Sequence, residues 1–122
     1  MPLVPANPEG AAWPGVSMGV AVTGKGLFLT TGHTGTDARG EPVTTSMEDQ
    51  LVALFENLKA TLAAAGLGFE HGAQIKAYLK STYRTVRARY FNQTCPPASV
   101  AVQAGLYDDR LLIEAELIAV IP

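Results

Sequence analysis

The stretch Leu111-Leu-Ile-Glu-Ala-Glu-Leu-Ile-Ala-Val-Ile121 alternates strictly. Leu111, Ile113, Ala115, Leu117, Ala119 and Ile121 share one face. Leu112, Glu114, Glu116, Ile118 and Val120 share the other. A period of two is that of a β-strand, and a strand this long belongs inside a sheet rather than at its edge. Two carboxylates on a face otherwise made of Leu, Ile and Val are costly unless paired or protonated. That face is therefore wet, as at a cleft between subunits, or it holds a site. A solvated outer face with scattered apolar residues is the plainer alternative. Upstream, Cys95-Pro96-Pro97 interrupts the chain and opens the other member of a final strand pair.

Working outward, Gln74 to Leu79 alternates with Ile75, Ala77 and Leu79 facing one way, a second strand. Between the two, Ser81 can cap a short helix running to about Phe91. Tyr83, Val86 and Tyr90 keep helical spacing there, and Arg84, Arg87 and Arg89 mark the other face. Three arginines so placed make a solvated helix face, or one of them reaches an anionic ligand. Before Gln74 lies the clearest helix. Thr45 or Ser46 can act as N-cap, with Glu48 or Asp49 completing a capping box. Met47, Leu51, Leu54, Phe55, Leu58, Leu62 and Ala65 form its apolar stripe, and Gly66 ends it. Ser17–Val22 and Leu27–Thr31 are β-prone runs joined as a hairpin by Thr23-Gly24-Lys25-Gly26. Residues 1–16, rich in Pro and Gly, read as an irregular arm that Trp13 could anchor. The order is β-β-α-β-α-β-β in a single domain over residues 1–122, an α+β mixed sheet. Both helices should lie on one face, with the other apolar face free for a partner.

Composition narrows the function. With 122 residues, 48% of them hydrophobic, the chain can bury a core of its own. A net charge of −2 and the lack of a Lys/Arg run argue against nucleic acid as a partner. One cysteine forms no internal disulfide, which fits a reducing compartment. No apolar run approaches a membrane span, and Met-Pro-Leu-Val-Pro-Ala-Asn-Pro8 does not read as a signal peptide. A cytoplasmic protein without membrane partners is expected. His33 and His71 have no metal-ligand spacing between them, and Gly24-Lys25-Gly26 is not a phosphate loop. Neither metal nor cofactor is expected.

The ordered series Gly26-x5-Gly32, Asp37-x2-Gly40-x2-Val43, Gln50-x7-Leu58-Lys-Ala-x-Leu62-x3-Gly66, Tyr78-Leu79, Ala88-Arg-Tyr-Phe91, Pro96-Pro-Ala98 and Ile113-Glu-Ala-Glu116 resembles the Rid (YjgF-like, reactive intermediate deaminase) family. The likeness runs from about Ser17 to Val120. It implies a chorismate-mutase-like fold and a homotrimer with small-molecule clefts between subunits. It also implies hydrolysis of reactive imines and enamines to a 2-oxo acid and ammonia. In the best-known branch, Pro-Ala-Arg-Ser presents an arginine to the substrate carboxylate, a natural bidentate clamp. Here the stretch reads Pro97-Ala98-Ser99-Val100, and Ser99 stands where the arginine would be. A site tyrosine of the family falls roughly at Met18.

Glu116 matches the family's glutamate on the last strand, and Gly32 matches the glycine whose neighbouring backbone lines the cleft. The next residue, commonly glutamine in relatives, is His33. Glu116 and His33 are the candidate acid–base groups. Apolar surroundings draw a carboxylate toward its neutral form, histidines ordinarily titrate near neutrality, and flanking glycines allow close ligand approach. Ser99, Gly32, Met18, Arg87 and Cys95 are candidate substrate contacts. Cys95 could be a nucleophile, but a cysteine before Pro-Pro is more often a small structural residue. Three functions follow: an enzyme acting on a small imine, enamine or related unsaturated intermediate, by hydrolysis or proton transfer; a trimeric small-molecule binder that lost the reaction; or the ribonuclease role also attributed to the family. The acidic balance fits the last least.

Overall fold

The computed structural model describes residues 2–10, 15–79, 89–91 and 93–122. Among these residues, seven strands and one α-helix follow in the order β1 (Leu3–Ala6), β2 (Gly19–Val22), β3 (Gly26–Leu29), β4 (His33–Thr34), α1 (Met47–Ala64), β5 (Gly72–Leu79), β6 (Ala98–Gln103) and β7 (Ile113–Ile121), with a 3-10 turn at Phe69–His71. The α+β class and mixed sheet expected from the sequence are present. The helix expected from Ser81 lies almost wholly outside the described residues.

Strand β7 is the spine of the main sheet, whose order is β3-β7-β5-β6, with β4 also pairing β7. It runs antiparallel to β3, β4 and β5, while β6 lies parallel to β5. The strands expected as a final pair are therefore separated by β5. The long connection from β5 to β6 lets the chain return in parallel, which a hairpin cannot do.

The N-terminal expectations need two corrections. The arm is not irregular throughout: Leu3–Ala6 pairs antiparallel with Gly19–Val22 in a separate two-stranded ribbon. Nor do β2 and β3 form a hairpin. The Thr23 N–H donates to the Pro2 carbonyl, 2.8 Å away, and the Lys25 N–H donates to the Ile121 carbonyl, also at 2.8 Å. Each strand is thus committed to a different partner on either side of Gly24. The backbone of a β-prone segment must bond somewhere, and local spacing cannot choose between a neighbour and a distant strand.

Helix α1 forms as its pattern requires. The Ser46 hydroxyl accepts from the Asp49 N–H at 3.0 Å, and Glu48 and Asp49 place negative charge on the first turn. At the other end Gly66 adopts φ +72°, and the Leu67 N–H reaches back to the Leu62 carbonyl at 2.9 Å. This is the left-handed stop that glycine accepts without strain. Leu51, Leu54, Phe55, Leu58 and Leu62 are buried against Ile75, Ile113, Ala115, Leu117 and Ala119. Phe55 also meets Phe69, Tyr90 and Phe91 in an aromatic cluster.

The opposite sheet face is only partly covered. The ribbon seats Leu3 on Ala73 and Val120, with Val20 and Cys95 beside them. Beyond it, Leu27 and Leu29 are 57% and 66% exposed, and Val100 and Val102 are 42% and 43% exposed. No helix among the described residues is long and apolar enough to cross a membrane.

Candidate functional site

Register decides which side chains share the open face. Across β7, β5 and β6, Glu116 lies opposite Lys76 and Lys76 opposite Val100, while Glu114 lies opposite Tyr78 and Tyr78 opposite Val102. Directly paired residues project from the same side of a sheet. The face away from α1 therefore carries Glu114, Glu116, Lys76 and Tyr78 between apolar residues. The Tyr78 phenol donates to Glu116 Oε1 at 2.9 Å. That hydrogen bond, then the charge of Glu116, pushes the Tyr78 phenol above its ordinary value. The phenol stays protonated and fixes one oxygen of the carboxylate. All four residues are partly accessible rather than sealed in the core.

Gly32 belongs to this group. A Cβ at that position would lie 2.5 Å from a Glu114 carboxylate oxygen, so any larger residue would have to push that side chain aside. The structure thus sets Gly32 against Glu114, on the sheet face that also carries Glu116, Tyr78 and Lys76. Tyr78 and Lys76 were not singled out from the sequence as site residues. The alternation of Gln74–Leu79 places both opposite Ile75 and Ala77, but only the pairing with β7 shows which side chains they meet.

His33 is not part of the group. Between β3 and β4 the chain advances four residues, Leu29 to His33, while β7 advances three, Ile118 to Ala115. This one-residue bulge turns the strand over. Without it, His33 would follow Leu27 and Leu29 onto the Glu116 face. Instead it pairs with Ala115 and points toward α1. There Nδ1 lies 2.9 Å from the Thr31 carbonyl, and Nε2 lies 2.7 Å from the Thr61 hydroxyl. A carbonyl only accepts, so Nδ1 carries a proton, and in the neutral ring Nε2 accepts from Thr61. Within the bulge, the Thr30 hydroxyl accepts the Leu117 N–H at 2.9 Å.

Other sequence candidates are also dispersed. Ser99 pairs with Ile75, whose side is buried under α1, so the serine lies on the sheet face opposite Glu116. Met18 is half-exposed just before β2, and its N–H donates to Asn7 Oδ1 at 2.8 Å. It belongs with the ribbon, not with the main sheet. Cys95 packs on the small cluster of Leu3, Ala73 and Val120, and burial pushes its thiol above the usual value. A thiol so placed is a poor source of thiolate. Arg87 lies outside the described residues. Arg89 forms an ion pair with Glu48 of α1, on the helix side.

A groove of about 570 Å³ also lies on the helix side, lined by Lys59, Ala63, Leu67, Phe69, Tyr90 and Phe91 among others. It contains none of the residues selected from the sequence.

Comparison with known proteins agrees with this architecture. The family model described as endoribonuclease L-PSP matches residues 16–121. A RutC family protein of Pyrococcus horikoshii is 36% identical over 85 residues, covering 66% of this chain and 67% of that protein. Among solved structures, a conserved Rid-family protein of unknown function from Yersinia pestis has a TM-score of 0.82 at 24% identity. The match covers 99% of this chain and 100% of that one. A YjgF-family member from Neisseria meningitidis has a TM-score of 0.68 at 19% identity, over 91% of each chain. At such identities the structural likeness speaks for the fold.

Proposed function

Because this chain belongs to the endoribonuclease L-PSP family, the Rid or YjgF proteins, we propose that it is an enzyme hydrolysing small imines and enamines at the Glu116 face. The observation that carries the reading is the Tyr78–Glu116 hydrogen bond of 2.9 Å on an open, largely apolar sheet face. Tyr78 holds Oε1, which leaves the other carboxylate oxygen to take a proton from water. Water adds to the C=N carbon as Glu116 accepts its proton, and the proton then passes to nitrogen. The resulting carbinolamine gives its hydroxyl proton to Glu116 and, through it, to the amine; the C–N bond breaks as the C=O forms, and ammonia and the carbonyl product leave. General acid–base catalysis of this kind contributes roughly 10²- to 10⁴-fold.

The exposed Leu27, Leu29, Val100 and Val102 favour joining this face to further copies of the chain. In our reading a homotrimer completes clefts around Glu116. Light scattering tests the assembly. The reaction is tested by generating imines from a panel of amino acids with an amino acid oxidase and timing 2-oxo acid release. Acceleration by the wild-type protein that disappears in Glu116→Gln is the expected result. Ligand-induced thermal stabilisation without acceleration anywhere in the panel would replace the enzyme with a binding protein.

A further inference from the structure

We propose that Tyr78 sets a size limit on the substrate: its ring, leaned over the sheet to reach Glu116, is a wall that admits imines with short side chains and turns away branched ones. The inference rests on the imine-hydrolysis reading of the Glu116 face. Tyr78 and Glu116 are not direct partners. Tyr78 stands opposite Glu114, and Glu116 stands opposite Lys76, the next pair on the same face. Diagonal positions of this kind lie about 7–8 Å apart, against about 4.5–5.5 Å for direct ones. Yet the phenol oxygen lies 2.9 Å from Glu116 Oε1. The two side chains therefore lean toward each other over the sheet, and the ring lies beside the carboxylate.

Both ends of that ring are held. Its Cβ belongs to β5, which has β7 on one side and β6 on the other. Its oxygen is bonded to Glu116, and bonds to a charged acceptor are among the stronger ones. Tyrosine has only two side-chain torsions, so the ring does not swing aside for a ligand without breaking that bond. On the β6 side its direct neighbour is the partly exposed Val102. Distance does the rest. A water on the free oxygen of Glu116 lies about 2.8 Å from it, and the carbon it attacks lies about 3–3.5 Å further on. The reacting carbon thus sits within one side chain's length of the ring. A methyl group on that carbon fits beside the phenol, and a branched chain meets it.

The test compares wild type, Tyr78→Phe and Tyr78→Thr on imines generated by an amino acid oxidase from alanine and from leucine. Threonine removes the ring and keeps a residue that strands accept readily. Wild type should favour the alanine imine in kcat/KM. Tyr78→Phe keeps the bulk and loses the bond, so it should lower kcat for both imines by a similar factor and keep the preference. Tyr78→Thr should also lose rate, but its preference should shrink about 10-fold or more, the scale on which a pocket discriminates one methylene. In parallel, calorimetry measures binding of 2-oxobutyrate and 4-methyl-2-oxopentanoate, product-like probes that need no turnover. If wild type hydrolyses no imine, the enzyme reading fails, and this arm alone judges the wall. Tighter binding of the shorter probe by wild type and Tyr78→Phe, levelled in Tyr78→Thr, supports it. No preference in wild type, no binding of either probe, or a preference unchanged in Tyr78→Thr overturns it. So does a preference lost equally in Tyr78→Phe, which assigns the selection to the bond rather than the bulk. A loss confined to the leucine imine in Tyr78→Thr makes the ring a platform for long chains, and a change of mass by light scattering makes it a subunit contact; either result also overturns the proposal.

Discussion

Replacing Gln50 with leucine should unfold this protein more readily than any surface substitution, and the reason lies in three hydrogen bonds. Gln50 is 1% exposed on α1. Its amide nitrogen donates to the Val43 and Arg110 carbonyls, each at 2.9 Å, and its oxygen accepts the Leu112 N–H at 2.6 Å. One side chain thus ties the helix to the loop before it and to the entry of β7. Leucine keeps the volume but leaves three backbone groups without that partner. Each orphaned group costs roughly 1–3 kcal/mol, and burying the leucine offsets about 1.5–3 kcal/mol. The net loss is on the order of 2–6 kcal/mol. In urea titration at fixed protein concentration, the midpoint should fall with the slope unchanged. Gln50→Glu sharpens the test. It keeps the acceptor for Leu112 but turns a second oxygen toward two carbonyls. Its deficit should therefore be largest at neutral pH and shrink on acidification, as the protonated carboxyl regains one donor. A Gln50→Leu variant within about 0.5 kcal/mol of wild type, the usual range for featureless surface changes, would refute this account.

Three further outcomes follow from the same geometry. Leu58→Ala, at a site with 0% exposure between α1 and the sheet, should cost about 2–5 kcal/mol in the same titration. His33→Ala should cost about 1–2 kcal/mol by losing its bonds to Thr31 and Thr61, while folded protein keeps its turnover; a loss of turnover would return His33 to the chemistry. Tyr78 should ionise at higher pH than an ordinary tyrosine, because its bond to Glu116 favours the neutral phenol. Its stabilising contribution is therefore complete below the ordinary tyrosine value and fades as pH rises through the raised one. Ultraviolet titration of wild type against Tyr78→Phe isolates the phenol, and Glu116→Gln should move its midpoint down.

Much of the fold was legible in the sequence because its signals are local. The strict alternation of Leu111–Ile121 identified a strand with one buried face, and burial of Ile113, Ala115, Leu117 and Ala119 follows that pattern. Ser46, the leucine stripe and Gly66 marked α1 because capping, periodicity and a left-handed stop involve residues within a few turns of one another. The same alternation set Glu114 and Glu116 apart as carboxylates on the apolar face.

Pairing between distant segments decided the rest. The sequence placed His33 with Glu116, but a single extra residue between Leu29 and His33 reversed the parity of the strand and sent the imidazole to α1. Thr23–Gly26 looked like a hairpin because β-prone runs flank it, yet those runs bond to Leu3–Ala6 and to β7. Tyr78 and Lys76 became visible as site residues only once β5 lay beside β7 in a definite register. Residue types and periods belong to the chain itself. Which carboxylate meets which phenol or ammonium depends on hydrogen-bond register across residues far apart in sequence, where a slip of one position exchanges the two faces of a sheet.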